Sequence, residues 1–117
     1  MSFEADVRTR GSLAVLDMAG DLDAHADDGI TVAHALAIEA DPEVVVLDFT
    51  DVGFINSTGI ALLVRILMEA RQQGREVRAA GLTSHYRHIF EITQLAEFMT
   101  FHADEPAALA GTASAEA

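Results

Sequence analysis

Two neighbouring hydroxyl residues, Ser57 and Thr58, stand between Asn56 and Gly59, where an apolar strand-like run gives way to a helical pattern. Asn and Ser are favoured at helix N-caps because their side-chain oxygens accept hydrogen bonds from first-turn amides. A glycine in the first turn costs about 1 kcal/mol relative to alanine, and a close approach of backbone or of a partner would explain its presence. The residues alone fit either a plain helix cap or a presented hydroxyl.

Alternating acidic residues around a histidine suggest a calcium loop before the first predicted helix: Asp21, Asp23, His25 and Asp27. An EF-hand loop needs a glycine at its sixth position and a glutamate at its twelfth. Ala26 and Val32 occupy those positions, so the calcium interpretation fails. We interpret the segment instead as an acidic helix entry close to a partner surface.

Two other groupings point only weakly to chemistry. His85 and His88 could share a metal ion on one helix turn, but a site needs a third ligand that the pattern does not supply. Ser84-His85 with Asp104 has the residue types of a hydrolytic triad, yet triads are spatial and residue types carry little information about them. We therefore predict no catalytic residue, no metal site and no cofactor.

The charge balance narrows the class of partner. The 117 residues carry 19 acidic side chains against 7 arginines and no lysine, a formal net charge of −12. Such a field repels phosphate backbones, so nucleic acid is not an expected partner. A P-loop is excluded because it requires a lysine. The charge favours a cationic partner surface, and it equally fits a simple need for solubility.

The composition also bears on the compartment. There is no cysteine, which excludes disulfides and thiolate sites and fits a reducing cytosol. The amino-terminal residues lack a signal-peptide pattern, and no segment approaches the roughly 18 apolar residues of a membrane span. We expect a cytoplasmic protein without direct membrane insertion.

The hydrophobic periodicity predicts an α/β fold. The predicted elements are a hairpin (Phe3–Arg8 and Ser12–Met18), a helix at Ala26–Ala40 with Ile30, Val32, Ala33, Leu36 and Ala37 on its apolar stripe, a buried strand at Val44–Leu47, a loop at Asp48–Asn56 that buries Phe54 and Ile55, a helix at Ser57–Gln73, a strand at Val77–Ala80, a helix capped by Thr83 or Ser84, a strand at Phe98–Phe101 and a helical turn at Pro106–Ala110. This order predicts one domain, residues 1–110, with a mixed sheet of about four to five strands covered mainly on one side by about four helices. We expect a disordered tail at 111–117.

Two motifs resemble one bacterial family. The run Asp48-Phe49-Thr50 with Phe54-Ile55-Asn56-Ser57-Thr58-Gly59-Ile60, together with Gly20-Asp21-Leu22-Asp23, is similar to the signatures of STAS-domain anti-sigma factor antagonists. The resemblance extends from about Phe3 to Ala110. It implies the STAS fold and a role in partner switching.

The resemblance also implies a phosphorylation cycle. Ser57 would be phosphorylated by an anti-sigma factor serine kinase with a histidine-kinase-like ATPase fold, and a cognate phosphatase would reset it. The unphosphorylated form would bind the kinase and release a sigma factor. Asp23, Asn56, Ser57, Thr58 and Gly59 would contact the partner. Asn56 departs from the family, which normally has Asp there.

Two other functions remain open. The chain could be a STAS docking or allosteric subunit that is not phosphorylated, within a stressosome or a lipid-transport ATPase complex. A small-ligand or nucleotide-binding domain is a weaker third interpretation. Phosphate on Ser57 in vivo would distinguish the first function from the other two.

Overall fold

The computed structural model describes residues 2–111 and contains five strands and four α-helices. In chain order the elements are β1 (Glu4–Arg10), β2 (Leu13–Leu22), α1 (Asp27–Glu39), β3 (Val44–Ile55), α2 (Ser57–Gln72), β4 (Glu76–Ala80), α3 (Ser84–Ile92), β5 (Thr100–His102) and α4 (Glu105–Ala110), with short 3₁₀ helices at Ala24–Ala26 and Leu95–Phe98. The predicted tail at 111–117 lies, apart from Gly111, outside the described residues.

The strands form one mixed sheet in the order β1-β2-β3-β4-β5. β1 and β2 are an antiparallel hairpin, whereas β2, β3, β4 and β5 are parallel to their neighbours. Gly11 has a φ of +59° at the first central position of the hairpin turn, which a type II′ turn requires. The predicted mixed sheet with an opening antiparallel hairpin is confirmed.

The helices divide unequally between the two faces of the sheet. Apolar residues of α1, α2 and α3 pack with Leu16 and Leu47 in the main core. The opposite face has a smaller cluster in which Ala108 of α4 packs with Val15 and Val46. This arrangement confirms the prediction of a sheet covered mainly on one side, and it explains why Val44–Leu47 is buried on both faces.

Two element boundaries and the burial of one residue differ from the prediction. The segment Asp48–Ile55 is not a loop: β3 continues through it because β2 also extends to Leu22 and pairs with it. Phe54, predicted to be buried, is half exposed because it lies at this strand end beyond the helices. The predicted strand at Phe98–Phe101 begins only at Thr100, since Leu95–Phe98 is a 3₁₀ helix.

The apolar stripe of α1 is narrower than its periodicity predicts. Ile30, Ala33 and Ala37 are buried as expected, but Val32 and Leu36 are 59% and 51% exposed. These two side chains lie outside the face of α1 that packs on the sheet. The prediction that they belong to the buried stripe was therefore wrong for both.

Candidate functional site

Asn56 ends β3 and begins α2. Its backbone is extended, and its side-chain oxygen accepts a hydrogen bond of 2.9 Å from the Gly59 N–H. The Asn56 N–H donates to the Leu22 carbonyl at 3.3 Å, and the Asn56 carbonyl accepts from Ile60 N–H at 2.9 Å. Side chain and backbone together therefore fix the first turn of α2 against the end of β2, and Asn56 rather than Ser57 supplies the side-chain cap.

Ser57 and Thr58 occupy the first two positions of α2 and are exposed. Within residues 2–111, neither hydroxyl has a hydrogen-bond partner. Their amides belong to the first turn, where a helix offers no internal acceptor and carries the positive end of its dipole. The arrangement presents two hydroxyls to solvent at a position that stabilises negative charge.

Gly59 is buried and packs tightly against β2. An added Cβ would overlap the Leu22 carbonyl oxygen and lie 2.8 Å from the Leu22 carbonyl carbon. A close approach of backbone within the chain therefore accounts for a glycine in the first helical turn. Gly59 keeps the start of α2 and the end of β2 in contact.

Asp23 directly follows β2 and begins the Ala24–Ala26 helix. Its carboxylate accepts a hydrogen bond of 3.0 Å from the His25 N–H, and the exposed His25 ring lies 3.6 Å away. Leu22 pairs with Ile55 across the parallel strands β2 and β3, so the segments that follow them begin side by side. The structure thus brings Asp23 to the same end of the sheet as Asn56, Ser57 and Thr58.

Tyr86 of α3 forms a hydrogen bond with the end of β3. Its hydroxyl oxygen accepts a hydrogen bond of 2.9 Å from the Ile55 N–H, one residue before the cap. Thr83 caps α3 and accepts from the Tyr86 N–H at 3.3 Å. This contact was not predicted from the sequence, because a tyrosine on an amphipathic helix has the pattern of an ordinary core residue.

The surroundings of the two hydroxyls are acidic and partly apolar. Phe54 is 50% exposed at the end of β3, and Asp21 faces it across the strand pair. A cleft of about 250 Å³ nearby is lined by Ser2, Phe3, Asp21, Asp23 and His25. Such a surface is complementary to a cationic group with an apolar neighbour.

The described residues 2–111 contain no cluster of three His, Cys, Asp or Glu side chains placed to hold a metal ion. In the same part of the chain, no helix has the length and hydropathy of a membrane span. His88, one of the two predicted surface histidines of α3, lies 3.9 Å from Glu91 and is exposed.

The family follows from a match to its sequence model. The STAS domain model matches residues 4–108, nearly the whole described chain. The protein belongs to the STAS domain family.

Solved structures with the same fold include several anti-sigma factor antagonists. One from Mycobacterium paratuberculosis has a TM-score of 0.76 and 20% identity, covering 95% of this chain and 94% of that one. The Bacillus cell fate determinant SpoIIAA in the phosphorylated form has a TM-score of 0.69 and 22% identity, covering 93% and 98%. A sulfate transporter family protein from Wolinella succinogenes has a TM-score of 0.74 and 16% identity, covering 90% and 88%. At these identities, the likeness establishes the fold.

Proposed function

We propose that this chain is a cytoplasmic anti-sigma factor antagonist, acting by binding rather than catalysis, with residues 1–110 as one binding domain. It binds an anti-sigma factor serine kinase, thereby releases a sigma factor, and loses affinity when Ser57 is phosphorylated. The observation that carries the proposal is the exposed Ser57 hydroxyl at the start of a capped helix, which has no hydrogen-bond partner among residues 2–111. Asp23 and Thr58 lie at the same end of the sheet and complete the proposed contact surface with Asn56, while buried Gly59 shapes it.

The position of Ser57 suits reversible modification. Phosphoryl transfer from ATP forms an Oγ–P bond, breaks the bridging P–O bond to ADP and releases the hydroxyl proton; hydrolysis by a phosphatase restores the alcohol. The phosphate adds about −1.5 to −2 charges near neutral pH. First-turn amides and the dipole of α2 stabilise that charge within the chain, so the fold is expected to persist.

The same phosphate disrupts a fitted interface. The partner would pack against a neutral hydroxyl between Asp23 and Phe54, and it would face a dianion there after phosphorylation. Added charge and volume oppose close packing at that point, without any large change of shape. The switch is therefore a local change in electrostatics and sterics.

A second candidate function is a docking subunit that is not phosphorylated. Asn56 favours it, because the family's usual carboxylate beside the serine is absent. The fold shared with the sulfate transporter family protein is consistent with a STAS domain in a larger assembly. In that role the chain would hold its partner through the same surface in one permanent state.

Substitutions at Ser57 test the switch, with Thr58 as the matched control. A pull-down with mass spectrometry identifies the bound kinase and reads the phosphate on Ser57. We expect Ser57→Ala to fold normally, since Asn56 rather than Ser57 supplies the cap. It should bind constitutively, because it has no hydroxyl to phosphorylate at this position. Ser57→Glu should weaken binding about tenfold or more, as charge at a fitted contact does, whereas Thr58→Ala should still be phosphorylated. Binding of Ser57→Glu at wild-type strength would contradict the phosphorylation switch.

Asn56→Asp separates the two candidate functions. The variant keeps a capping oxygen for the Gly59 N–H and adds a carboxylate at the helix start, worth about 0.3–1 kcal/mol. Wild type and variant are incubated with ATP and the captured kinase, and their masses are followed. Stoichiometric phosphate on wild-type Ser57 would end the docking-only function. Tight binding with no phosphate on either protein would end the phosphorylation cycle.

A further inference from the structure

β1 lies at one edge of the sheet. Among residues 2–111 it pairs only with β2, so in the described part of the chain its outer side is open. Arg10 and Leu13 close the two-residue turn and therefore form a hydrogen-bonded pair, and such pairs recur at every second residue along an antiparallel ladder. It follows that Ala5, Val7 and Thr9 direct their N–H and C=O groups outward, away from β2. An open edge of this kind can accept another strand.

The charges along β1 are arranged in a self-complementary order. Glu4, Asp6, Arg8 and Arg10 alternate on one face of the strand and are exposed. If two copies of β1 pair antiparallel about Val7, Glu4 lies opposite Arg10 of the second copy, and Asp6 lies opposite its Arg8. Registers centred on Asp6 or Arg8 instead place like charges directly opposite each other, which is unfavourable. All three registers pair outward-directed residues with one another, so the charges are what favour the Val7 register.

Three of these side chains have no ion-pair partner among residues 2–111 of their own copy. Arg8 contacts Glu105 at 2.6 Å and Asp17 at 3.2 Å. Within the described residues, Glu4, Asp6 and Arg10 form no ion pair, and Asp6 lies directly opposite Asp17 on β2. Charges of a single sign on β1 would repel a second copy, and natural edge strands commonly use charged side chains to prevent such pairing. Here both signs are present, and a second β1 would supply each missing counter-ion.

The exposed apolar residues of α1 border the same edge. The Asp27 and His34 side of α1 faces α2, where they lie close to Arg65 and Glu69. A Cβ added at Gly29, on the other side of α1, would lie 3.1 Å from the Phe3 ring beside β1. Val32 and Leu36 follow Gly29 at helical spacing and so lie on the same side of α1 as Gly29, away from α2. Both are more than half exposed.

We propose that two copies of this chain associate through their β1 strands, antiparallel and centred on Val7, with the Val32 and Leu36 side chains of both copies flanking the two-fold axis. The axis is perpendicular to the sheet, so both α1 helices lie on the same face of one continuous sheet. The interface is isologous: each patch contacts its own copy.

The geometry leaves both Ser57 surfaces accessible. Glu4, at the amino end of β1, pairs with Ala19 near the end of β2 that leads to the site. In the antiparallel pair, this end lies beside Arg10 of the second copy. The two Ser57 surfaces are therefore at opposite ends of the dimer, each able to bind a partner independently.

A charge exchange tests the register directly. Glu4→Arg alone places arginine opposite arginine, and Arg10→Glu alone places acid opposite acid, but an equimolar mixture of the two variants restores both attractive pairs. Sedimentation velocity of the full chain, over about three decades of concentration, should show a reversible wild-type dimer. Each variant alone should dimerise roughly tenfold more weakly, and the mixture should recover to about the wild-type level.

The controls exclude effects of net charge and of folding. Glu97→Arg changes the net charge as much as Glu4→Arg, but it lies in the 3₁₀ helix before β5 and should leave dimerisation unchanged. Amide exchange followed by NMR should show protection of Ala5, Val7 and Thr9 that increases with concentration, while the Asp6 and Arg8 amides, bonded to β2, do not change. A wild-type protein that stays monomeric at every concentration, or a mixture that fails to recover, would overturn the proposal.

Discussion

At the residue scale, Gly59 is the position where the site depends most directly on the absence of a side chain. Alanine would gain about 1 kcal/mol of helix propensity, but its Cβ would overlap the Leu22 carbonyl group. We expect Gly59→Ala to lower the free energy of unfolding by about 2–3 kcal/mol, the usual cost of overpacking against rigid backbone.

Gly53 offers the matched comparison six residues earlier. A Cβ there meets only Asp21 Oδ1 at 3.5 Å, an ordinary contact. Gly53→Ala should change the unfolding free energy by less than about 0.5 kcal/mol. Urea denaturation of both variants measures the difference. Equal stability of the two would contradict the close approach of α2 to β2.

His34 gives a second prediction at this scale. It is buried on α1, and its Nε2 atom has no hydrogen-bond partner in the described part of the chain. Burial lowers its pKa, an effect that the Glu69 carboxylate opposes and that Arg75 and Arg65 reinforce. The unfolded chain therefore binds a proton on this residue more readily than the folded chain does. The contribution of neutral His34 to the free energy of unfolding is therefore complete above the ordinary histidine pKa of about 6.5, and it is lost as the pH falls below that value.

The measurement is the unfolding free energy between about pH 7 and pH 5. His34→Leu should flatten the wild-type decrease over this window. His25→Gln should leave it unchanged, because the His25 side chain is 96% exposed. A wild-type slope that survives in His34→Leu would assign the effect to another group.

The interactions of single residues that could be predicted from the sequence are the local ones. The Asn56 cap and the Thr83 cap involve bonds to amides only three residues away, so residue type and spacing were sufficient. The bond from Ile55 N–H to the Tyr86 hydroxyl spans 31 residues. No local pattern indicates such a contact, since it exists only after α3 has packed under β3.

At the element scale, the extended β3 shows how tertiary pairing overrides local composition. Thr50, Asp51 and Gly53 are polar or flexible and favour a loop when read alone. In the fold, Asp51 and Phe54 pair with residues of the equally extended β2. The backbone of this segment is satisfied by strand pairing while its side chains stay exposed, a combination that hydrophobic periodicity cannot detect.

Asp48 yields a prediction about how β3 meets α4. It is buried and accepts hydrogen bonds from Thr50 N–H at 2.9 Å and Thr50 Oγ at 2.6 Å. Burial is the largest influence and raises its pKa; the Thr50 bonds oppose the rise, and Glu105 and Asp17 add to it. The folded protein thus binds this proton more tightly than the unfolded chain, so ionised Asp48 costs stability at neutral pH and the cost disappears on acidification.

Asp48→Asn should remove that cost, because the amide oxygen can still accept from Thr50 and the amide nitrogen can donate to Glu105. We expect the variant to be more stable than wild type by about 1 kcal/mol at pH 7, with the difference shrinking towards pH 4. Thermal unfolding across this range provides the test, and Asp51→Asn, at an exposed position on the same strand, is the control. A variant that is less stable at pH 7 would show that the carboxylate is needed for the Thr50 bonds.

At the scale of the whole molecule, the two proposed surfaces occupy different parts of one sheet. The Ser57 surface lies where parallel strands β2 and β3 end, the position at which open α/β sheets commonly bind ligands. The β1 edge lies at the side. The family motifs indicated the first surface, whereas the second depends on which strand is at the edge and which α1 residues stay exposed, and both of these emerge only from the folded sheet.

The net charge of −12 leads to the last prediction, that salt stabilises the fold. The molecule measures 33 × 31 × 24 Å, and the Debye length is about 30 Å at 0.01 M salt. At that ionic strength nearly every acidic group repels all the others, and folding increases the repulsion by bringing them together. At about 0.5 M salt the screening length falls to a few ångströms, so that repulsion largely vanishes. Exposed ion pairs such as Arg65 with Asp27 weaken too, but water already screens them, so their loss changes the stability little.

The urea midpoint should therefore rise between about 0.01 M and 0.5 M NaCl. Glu39→Lys changes an exposed residue in the last turn of α1 and reduces the magnitude of the negative net charge by two. Its urea midpoint should exceed that of wild type at low salt and respond less to added NaCl. Measuring both proteins at one concentration keeps any self-association constant. A midpoint that falls with salt in the wild type would mean that its ion pairs, the Arg8 cluster foremost, outweigh the repulsion among its carboxylates.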